Sequence, residues 1–441
     1  MTRTRWPRAK LADHVDLVSG FPFKSAGFTG DLQDVPLVKG ENVHQGYIDW
    51  DKAKRWPRDQ IEGLEKYWLK PGDVILAMDR PWIEAGLKQA CIQSHDPPSL
   101  LVQRVSRLRG VNGLSTAYLR QLIASPSFTD YIKPIVTGIN VPHISGTQIK
   151  GFEFLLPPQP AQERIASILA AYDGLIENNI RRITILEEMA RRIYEEWFVR
   201  FRFPGHTGVQ MVGSDLGLVP EGWAALKFEE LLDSWRGGDW GSDEMSGADT
   251  APVFVIRGTD FDDLAHGTGN RVPARFIEPK SLEKRKLRPF DVVVENSINA
   301  KSRSAGKTLL ITPGLLKRLG GDAIAASFCK VFRFRDPNLA PLAHLKMRQL
   351  FEAGDMAFFQ NVAANGIANF QATRFVSTQF ISLPIDELRR RRILDMFSAF
   401  TRSTHADAIS NLRTTRDLLL PKLVSGELDV SAMPEPEALA A

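Results

Sequence analysis

Two segments of the chain show the hydrophobic spacing of helices that pack lengthwise against a neighbour. Apolar residues recur every three or four positions from Ile165 to Trp197, and again from Ile393 to Leu423. This spacing places them on one face of a helix. We therefore predict two long helices that pair through Ile176, Ile180, Ile183, Leu186, Ile193 and Trp197 in the first segment and through Ile409, Leu412, Leu419 and Leu423 in the second.

The first helical segment begins at LPPQPAQERIASIL, residues 156–169. Pro160 suits the first turn of a helix, where its missing N–H costs nothing, and Glu163 complements the positive helix start. The sequence AYDG at 171–174 predicts a break. We therefore expect a short helix followed by a long one over about 175–199.

The sequence before each helical segment has a different pattern. Short alternating or β-branched runs such as VPLVKG, DVILAM, FVIRG and DVVVEN are separated by Gly, Pro and Asn. Such runs between turn-forming residues are typical of β-strands. Each of these parts is therefore predicted to be mixed β structure with few helices.

The whole plan occurs twice along the chain. LKPGDVIL at 69–76 matches LRPFDVVV at 287–294, VTGINVPHIS matches AANGIANFQA with Gly138 against Gly366, and the pair Arg164–Ile165 matches Arg392–Ile393. The matches keep their order and a nearly constant offset, which indicates an internal repeat. The prediction is an α+β fold with two β-rich domains in a pseudo-two-fold arrangement, separated by two long antiparallel helices that form a coiled-coil-like spacer.

The repeat divides the chain into four blocks and a tail. The tail is acidic and is expected to be disordered. The predicted boundaries are 1–155 for the first β-rich domain, 156–204 for the central helical region, 205–383 for the second β-rich domain, 384–428 for the C-terminal helical region and 429–441 for the tail.

Composition restricts the class of protein. The 441 residues carry a net charge of +4, and no apolar run approaches the roughly 18 residues that a membrane-spanning helix needs. The N-terminal sequence MTRTRWPRAK lacks the apolar core of a secretory signal. We predict a cytoplasmic protein without a membrane partner.

Three short motifs approach catalytic signatures, and each lacks a required residue. HDPPSL has Ser99 where a base-gripping motif of amino-methyltransferases has an aromatic residue, and SAGKTLL has Lys301 where a phosphate-binding loop needs glycine. Asp291 and Glu295 are spaced as in a metal-dependent nuclease, but Ser297 stands in the place of its lysine. The sequence therefore predicts neither a catalytic residue nor a metal site.

The segment from Lys284 to Lys307 is strongly basic. It carries seven basic and two acidic residues, a local charge of +5. Lys and Arg can neutralise phosphates, while amides and hydroxyls can read base edges. A solvated loop is the competing interpretation. The candidate DNA contacts in this segment are Asn296, Asn299, Lys301, Arg303 and Lys307.

Further candidates come from the matching region of the first copy, MDRPWIEAGLK, and from the Gly- and Asn-rich turns of both copies. Amides that read adenine are expected on shallow or mobile loops. Packing and turn formation are the alternatives for these residues. The remaining candidates are Lys24, Arg80, Trp82, Lys88, Asn140, His143, Arg236, Asn365, Asn369 and Gln371.

Besides the repeat, the chain carries a proline-led helix entry with Pro157, Pro158, Gln162, Glu163, Arg164 and Ile165, the helix ending EEMARRIYEEWFVRF, VPEGW at 219–223 and LLLPKLVSGEL at 418–428. In the order and duplication of these features, the chain resembles the specificity subunit of type I restriction-modification systems over nearly its whole length. The second helix entry, LPIDELRRRRI, departs from the pattern because it has one proline and no Gln-Glu pair.

The resemblance implies a non-catalytic subunit that reads DNA. Each recognition domain would bind one half of a bipartite asymmetric site in double-stranded DNA. The helices would set the gap and dock two methyltransferase subunits, and motor-nuclease subunits would join through the complex. No cofactor would be bound by this chain, while S-adenosylmethionine, ATP and Mg would be used by the partner subunits.

Two other classes of protein are also consistent with the sequence. A stand-alone two-headed DNA-binding protein would have the same repeat without partner subunits. A diverged DNA methyltransferase or nuclease would act alone, with motifs that the sequence no longer displays. Because the two β-rich domains share scaffold turns and differ in their polar loops, we expect different half-sites rather than a palindrome.

Overall fold

The computed structural model describes residues 6–83, 86–136, 142–214, 217–267, 272–299, 305–401 and 405–430. The chain forms two compact units. Unit 1 contains Met1–Gly174 together with Thr414–Ala441, and unit 2 contains Leu175–Arg413. Unit 1 is therefore assembled from two separate stretches of sequence, whereas unit 2 is continuous.

Unit 1 is built around an antiparallel sheet with the strand order Val15–Ser19, Val105–Gly110, Val74–Ala77, Gln89–Cys91. Val74, Leu76 and Leu108 on one face are fully buried. Unit 1 also contains a sheet in the order Arg55–Trp56, Val35–Val38, Leu100–Leu101 and the strand pairs Arg8–Lys10 with Glu153–Leu155 and Trp82–Ile83 with Gly86–Leu87. Its α-helices before residue 158 are Leu11–His14, Thr116–Ala124, Pro126–Ile132 and Gly146–Lys150.

Unit 2 repeats this plan. Its main sheet has the order Leu232–Gly237, Cys329–Phe334, Val292–Glu295, Thr308–Leu310, again antiparallel throughout. The other strands are Ala274–Ile277, Ala251–Ile256 and Ala323–Ala325 in one sheet, Ser297–Asn299, Ile367–Phe370 and Gln360–Val362 in another, and the pairs Trp223–Lys227 with Phe380–Pro384 and Met211–Ser214 with Gly217–Pro220. The helices are Phe228–Leu231, Phe261–His266, Pro279–Arg285, Pro313–Leu319, Ala340–Glu352, Ala372–Thr378, Glu387–Thr401 and His405–Val424, whose last turns belong to unit 1.

The smaller sheets show the same correspondence. In unit 1 the strand Val35–Val38 pairs antiparallel with Arg55–Trp56 and parallel with Leu100–Leu101. In unit 2 the strand Ala251–Ile256 pairs antiparallel with Ala274–Ile277 and parallel with Ala323–Ala325. The mixed α+β fold is confirmed, and the sequence repeat is a repeat of topology.

The motif shared by LKPGDVIL and LRPFDVVV forms a buried ion pair in each unit. Asp73 accepts a hydrogen bond from the backbone N–H three residues before it and a bidentate pair from Arg109, with Nη2 and Oδ2 at 2.9 Å. Asp291 accepts the equivalent backbone bond and a bidentate pair from Arg333, at 2.6 Å. The aspartate therefore fixes the turn before the strand and ties it to the adjacent strand.

The first helical segment is one long helix, Gln159–Tyr194, followed by a π-helical turn over Glu195–Val199. The predicted break at 171–174 is wrong. Gly174 is exposed and tolerated, since glycine inside a helix costs about 1 kcal/mol. The adjacent Asp173 receives ion pairs at 2.8 Å from both Arg120 and Arg416, which hold this part of the helix in unit 1.

The apolar residues predicted to pair the helices all pack in the structure. In unit 2, Ile176, Ile183 and Ile409 form a buried cluster with Ala406, with the half-buried Ile180 and Leu412 packed against it. Beside it, His405 Nδ1 lies 2.8 Å from Asn179 Oδ1. The other predicted residues lie in larger clusters: Ile193 and Trp197 against the core of unit 2, Leu186 in the wall of a cavity of that unit, and Leu419 and Leu423 in the core of unit 1.

Among the described residues, no helix has the length and apolar character needed to cross a membrane.

Candidate nucleic-acid interface

Unit 2 brings two separate groups of candidate residues together on one small sheet. The strand Ser297–Asn299 comes from the basic segment, and Ile367–Phe370 comes from the Gly- and Asn-rich turn. They pair antiparallel, with Ser297 opposite Asn369, and Phe370 N donates to Asn296 O at 2.7 Å. Two loops that are about 70 residues apart in sequence thus contribute to a single surface.

A hydrogen-bonded network crosses this sheet. Asn296 Nδ2 donates to Ser297 Oγ at 3.0 Å, and the Ser297 hydroxyl donates to Asn369 Oδ1 at 2.7 Å. The third strand places Asn361 opposite Asn369. Asn361 was not among the sequence candidates, because only strand register brings it beside the others.

Strand alternation decides which face of the sheet is accessible. Ala368 and Phe370 are buried, and Ile298 packs against the core of unit 2. Successive residues of a strand point to opposite faces. Ser297, Asn369 and Asn361 therefore lie on the other face, where Asn361 is exposed and the other two are half-buried. We call these three residues the polar row.

Unit 1 has the same backbone arrangement with different side chains. Ile144 N donates to Met78 O at 2.9 Å, the counterpart of the bond from Phe370 to Asn296. This pairing places Asp79 opposite His143, which corresponds to Ser297 opposite Asn369. In this position unit 1 carries a carboxylate and an imidazole, where unit 2 carries a hydroxyl and an amide.

Asp79 lies between two polar side chains, those of His143 and Arg104. Its Oδ1 lies 2.7 Å from His143 Nδ1 and 3.1 Å from Arg104 Nη1. Arg80 follows with a left-handed backbone, φ 44°, and its N–H donates to Pro142 O at 2.6 Å. The backbone bond from Arg80 to Pro142 and the bond between His143 and Asp79 thus bring the two predicted residues Arg80 and His143 close together. Asp79 was not a candidate from the sequence.

The other candidates of this region have partners within unit 1. Lys133 Nζ lies 4.1 Å from the centre of the Trp82 ring, a cation–π contact that leaves the ring 37% exposed. Lys88 Nζ donates to the carbonyl of Gly40. Burial, with the nearby Arg80 charge, lowers the pKa of Lys88. Lys88 is therefore less available to a phosphate than its sequence position suggests.

Lys24 is exposed at the start of a short helical turn, where its carbonyl accepts from Gly27 N at 2.9 Å. Its ammonium group has no hydrogen-bond or ion-pair partner among the residues that the structure describes. In unit 2, Lys307 Nζ pairs with Asp262 Oδ2 at 2.5 Å. Arg236 donates to the carbonyl of Lys284 and, at 3.2 Å, to Ser234 Oγ. Burial and the charge of Arg333 lower the pKa of Arg236.

The last two candidates in unit 2 support the loops themselves. Asn365 Oδ1 accepts from Ile367 N at 3.1 Å, and Gln371 N donates to Phe359 O at 2.7 Å. Three predicted contacts, Asn140, Lys301 and Arg303, lie outside the described residues, as does the side chain of Asn299.

Unit 2 also contains a cavity of about 550 Å³ with mainly apolar walls. Its charged side chains already have partners, such as Arg348 with Glu187 at 3.0 Å. His344 accepts or donates a bond with Thr308 Oγ1 at 3.0 Å, and burial lowers its pKa to about 3. A neutral imidazole and neutralised ion pairs do not favour phosphate binding.

Comparisons with known proteins point to one family. Residues 32–188 match the type I restriction modification DNA specificity domain. The type I restriction enzyme EcoAI specificity subunit of Escherichia coli is 34% identical over 163 residues, which is 37% of this chain and 27% of the relative. The MjaIX specificity subunit of Methanocaldococcus jannaschii is 29% identical over 73% of this chain and 71% of its own length.

The fold has a counterpart among solved structures. The S subunit of a type I restriction-modification system from M. genitalium aligns with a TM-score of 0.53 over 95% of this chain and 96% of its own. The sequences are 10% identical, so this likeness concerns the fold.

Proposed function

We propose that this chain, which belongs to the family of type I restriction-modification specificity subunits, recognises double-stranded DNA as a non-catalytic subunit of such a complex. Each unit reads one half of a bipartite, asymmetric site. The helical segments set the gap between the halves and dock two methyltransferase subunits, and motor-nuclease subunits join through the complex. The complex acts in the cytoplasm.

One observation carries this proposal: the same backbone junction occurs in both units, with different polar groups on it. The bonds from Ile144 to Met78 and from Phe370 to Asn296 fix equivalent surfaces. One surface carries Asp79 and His143, and the other carries amides and a hydroxyl. A repeated scaffold with diverged hydrogen-bonding groups is suited to reading two different half-sites.

The chemistry of modification and cleavage then belongs to other subunits. Methyl transfer to a flipped adenine requires S-adenosylmethionine, and DNA translocation requires ATP and Mg. We assign these cofactors to the partner subunits. Among the described residues, no cluster of three or more His, Cys, Asp or Glu side chains is arranged to hold a metal ion.

Selection of bound duplexes from a random library tests the proposal. The full-length chain, purified with the subunits that bind it, is expected to select two different half-sites at a fixed separation. Changing the separation by one base pair should reduce binding strongly. Indifference to the separation, or a palindromic site, would contradict the proposal.

A second arm of the experiment separates the other classes of protein. Methyl transfer or DNA cleavage by the purified chain alone would establish an enzyme. Selection of the same bipartite site by a chain that binds no other subunit would establish a stand-alone DNA-binding protein.

A further inference from the structure

We propose that Asn361 reads the adenine edge of an A·T pair in the half-site bound by unit 2, and that Ile367 contacts the thymine methyl group of the same pair. This inference rests on the proposed function and specifies one base pair and two side chains. Neither residue was a candidate from the sequence.

Within the polar row, the two asparagines differ in how much of their hydrogen-bonding capacity is free. Asn369 Oδ1 accepts from the Ser297 hydroxyl at 2.7 Å, and Asn369 Nδ2 is 3.5 Å from the carbonyl of Ile367. The side chain of Asn361 has no hydrogen-bond partner among the described residues and is exposed. Its amide can therefore offer a donor and an acceptor together.

That combination matches one base. Adenine presents N7 as an acceptor and the N6 amino group as a donor in the major groove, and an asparagine amide can bind both. Guanine presents two acceptors there, which an amide cannot satisfy with its donor and acceptor together. Asn361 therefore favours adenine over guanine by the pairing of its two polar groups.

The strand next to Asn361 supplies an apolar contact on the same face. Ile367 lies two residues from Asn369, so both point to the face that carries the polar row. Its side chain is 38% exposed, and it lies diagonally across from Asn361, where Cβ atoms are typically about 7–8 Å apart. Thymine, the partner of adenine, exposes its methyl group in the same groove.

The sheet can also reach the groove as a unit. The major groove admits a β-ribbon, and Gln360–Val362 is one of the two edge strands of the sheet. Asn369, held by Ser297, keeps its amide in one orientation beside Asn361. The alternative is that the polar row is a solvated edge without contact to bases, and the experiment below separates the two.

Duplex selection with the full-length chain and its bound subunits is repeated for the Asn361→Ala and Val362→Ala variants. Val362 is the neighbouring exposed residue and points to the opposite face, so it is a matched control. Asn361→Ala is expected to relax the preference for A·T at one position of one half-site by roughly 5- to 150-fold. Val362→Ala should leave the selected site unchanged.

Modified bases test the contacts without altering the protein. At the relaxed position, 7-deazaadenine removes the N7 acceptor and uracil removes the thymine methyl group. Both should weaken binding by the wild-type chain. The loss with 7-deazaadenine should disappear in Asn361→Ala, and the loss with uracil should disappear in Ile367→Ala.

The outcomes separate this inference from the proposed function. If the wild-type chain selects no sequence, the proposed function fails. If it selects a bipartite site and Asn361→Ala selects the identical site, the inference alone is overturned. Equal binding of normal and 7-deaza-substituted duplexes at every adenine of that half-site by the wild-type chain would overturn it as well, whether or not the variants fold.

Discussion

The two units share their interior and differ at the equivalent point of their surfaces. In both, a buried aspartate ties a strand to its neighbour: Asp73 with Arg109 in unit 1, and Asp291 with Arg333 in unit 2. At the end of that strand, unit 1 presents an acid–imidazole group centred on Asp79, whereas unit 2 presents the polar row.

The comparison indicates which part of each unit is free to vary. The aspartate of each ion pair is buried, and loss of its arginine would leave that carboxylate without a charged partner, so both copies keep the pair. The surface group is partly exposed and can change its hydrogen-bonding pattern without disturbing the sheet below. We therefore expect substitutions in the interior to affect stability and substitutions at the surface to affect base preference.

The largest effect is expected for Asp291→Ala. It leaves the Arg333 side chain, which is 12% exposed, without its carboxylate partner and, among the described residues, with only the bond to the Lys286 carbonyl, and we expect a loss of about 3–5 kcal/mol in the stability of unit 2. Asp73→Ala should cost less, because the Arg109 side chain is 30% exposed and can be hydrated. Hydrogen exchange of the strand amides in each unit measures both values. A larger loss of stability for Asp73→Ala than for Asp291→Ala would contradict this explanation, which rests on the exposure of the two arginines.

The next effect concerns base preference. Asp79→Ala removes the carboxylate that orients His143 and Arg104. We expect base discrimination at a single position of one half-site to fall by roughly 5- to 150-fold, and the other half-site to remain unchanged. Duplex selection measures both halves in one experiment. Changes in both half-sites would show that the two surfaces do not read DNA separately.

A smaller effect is expected at the turn before the shared aspartate. Gly72 has a φ of 90°, while Phe290 occupies the matching position of unit 2 with a φ of 68°. No atom within 4 Å would meet a Cβ at Gly72. Gly72→Ala should therefore cost only the left-handed backbone, about 1–2 kcal/mol. Its control is Gly30→Ala, with open space and no positive φ, which should not destabilise unit 1. Denaturant unfolding of both variants and the wild-type chain compares their free energies of unfolding.

The smallest effect is expected for a phosphate contact. Lys24→Ala removes an exposed ammonium group without a partner among the described residues, so binding should weaken similarly for all sequences. The slope of log K against log salt should fall by about 0.9. Lys307→Ala should change the slope less, because Lys307 is paired with Asp262. Titrations at several salt concentrations compare the two variants.

Local patterns in the sequence were sufficient for the repeat and for the helical faces. LKPGDVIL and LRPFDVVV match because each must form the same turn, and Ile176 and Ile183 recur at the spacing of one helix face. These signals depend on residues close together in sequence.

Features that depend on distant residues could not be read in this way. AYDG predicted a break because it contains turn-forming residues. The helix continues through it, and the two arginines that pair with Asp173, Arg120 and Arg416, are too far away in sequence for a local pattern to include them. Asn361 gained its position from strand register with Asn369, which no local pattern specifies. The candidate contacts on loops stay predictions until DNA binding is measured.

The division of unit 1 between two stretches of sequence has a consequence for synthesis on the ribosome. Its core contains Leu423 and Val424 as well as Phe128 and Ile165, and Trp6 packs within the same cluster. Unit 2, being continuous, has all its residues once translation passes Arg413. Unit 1 therefore begins to emerge before unit 2 and is completed after it, and its apolar surface stays open to chaperones or to premature association until Leu423 and Val424 have been translated.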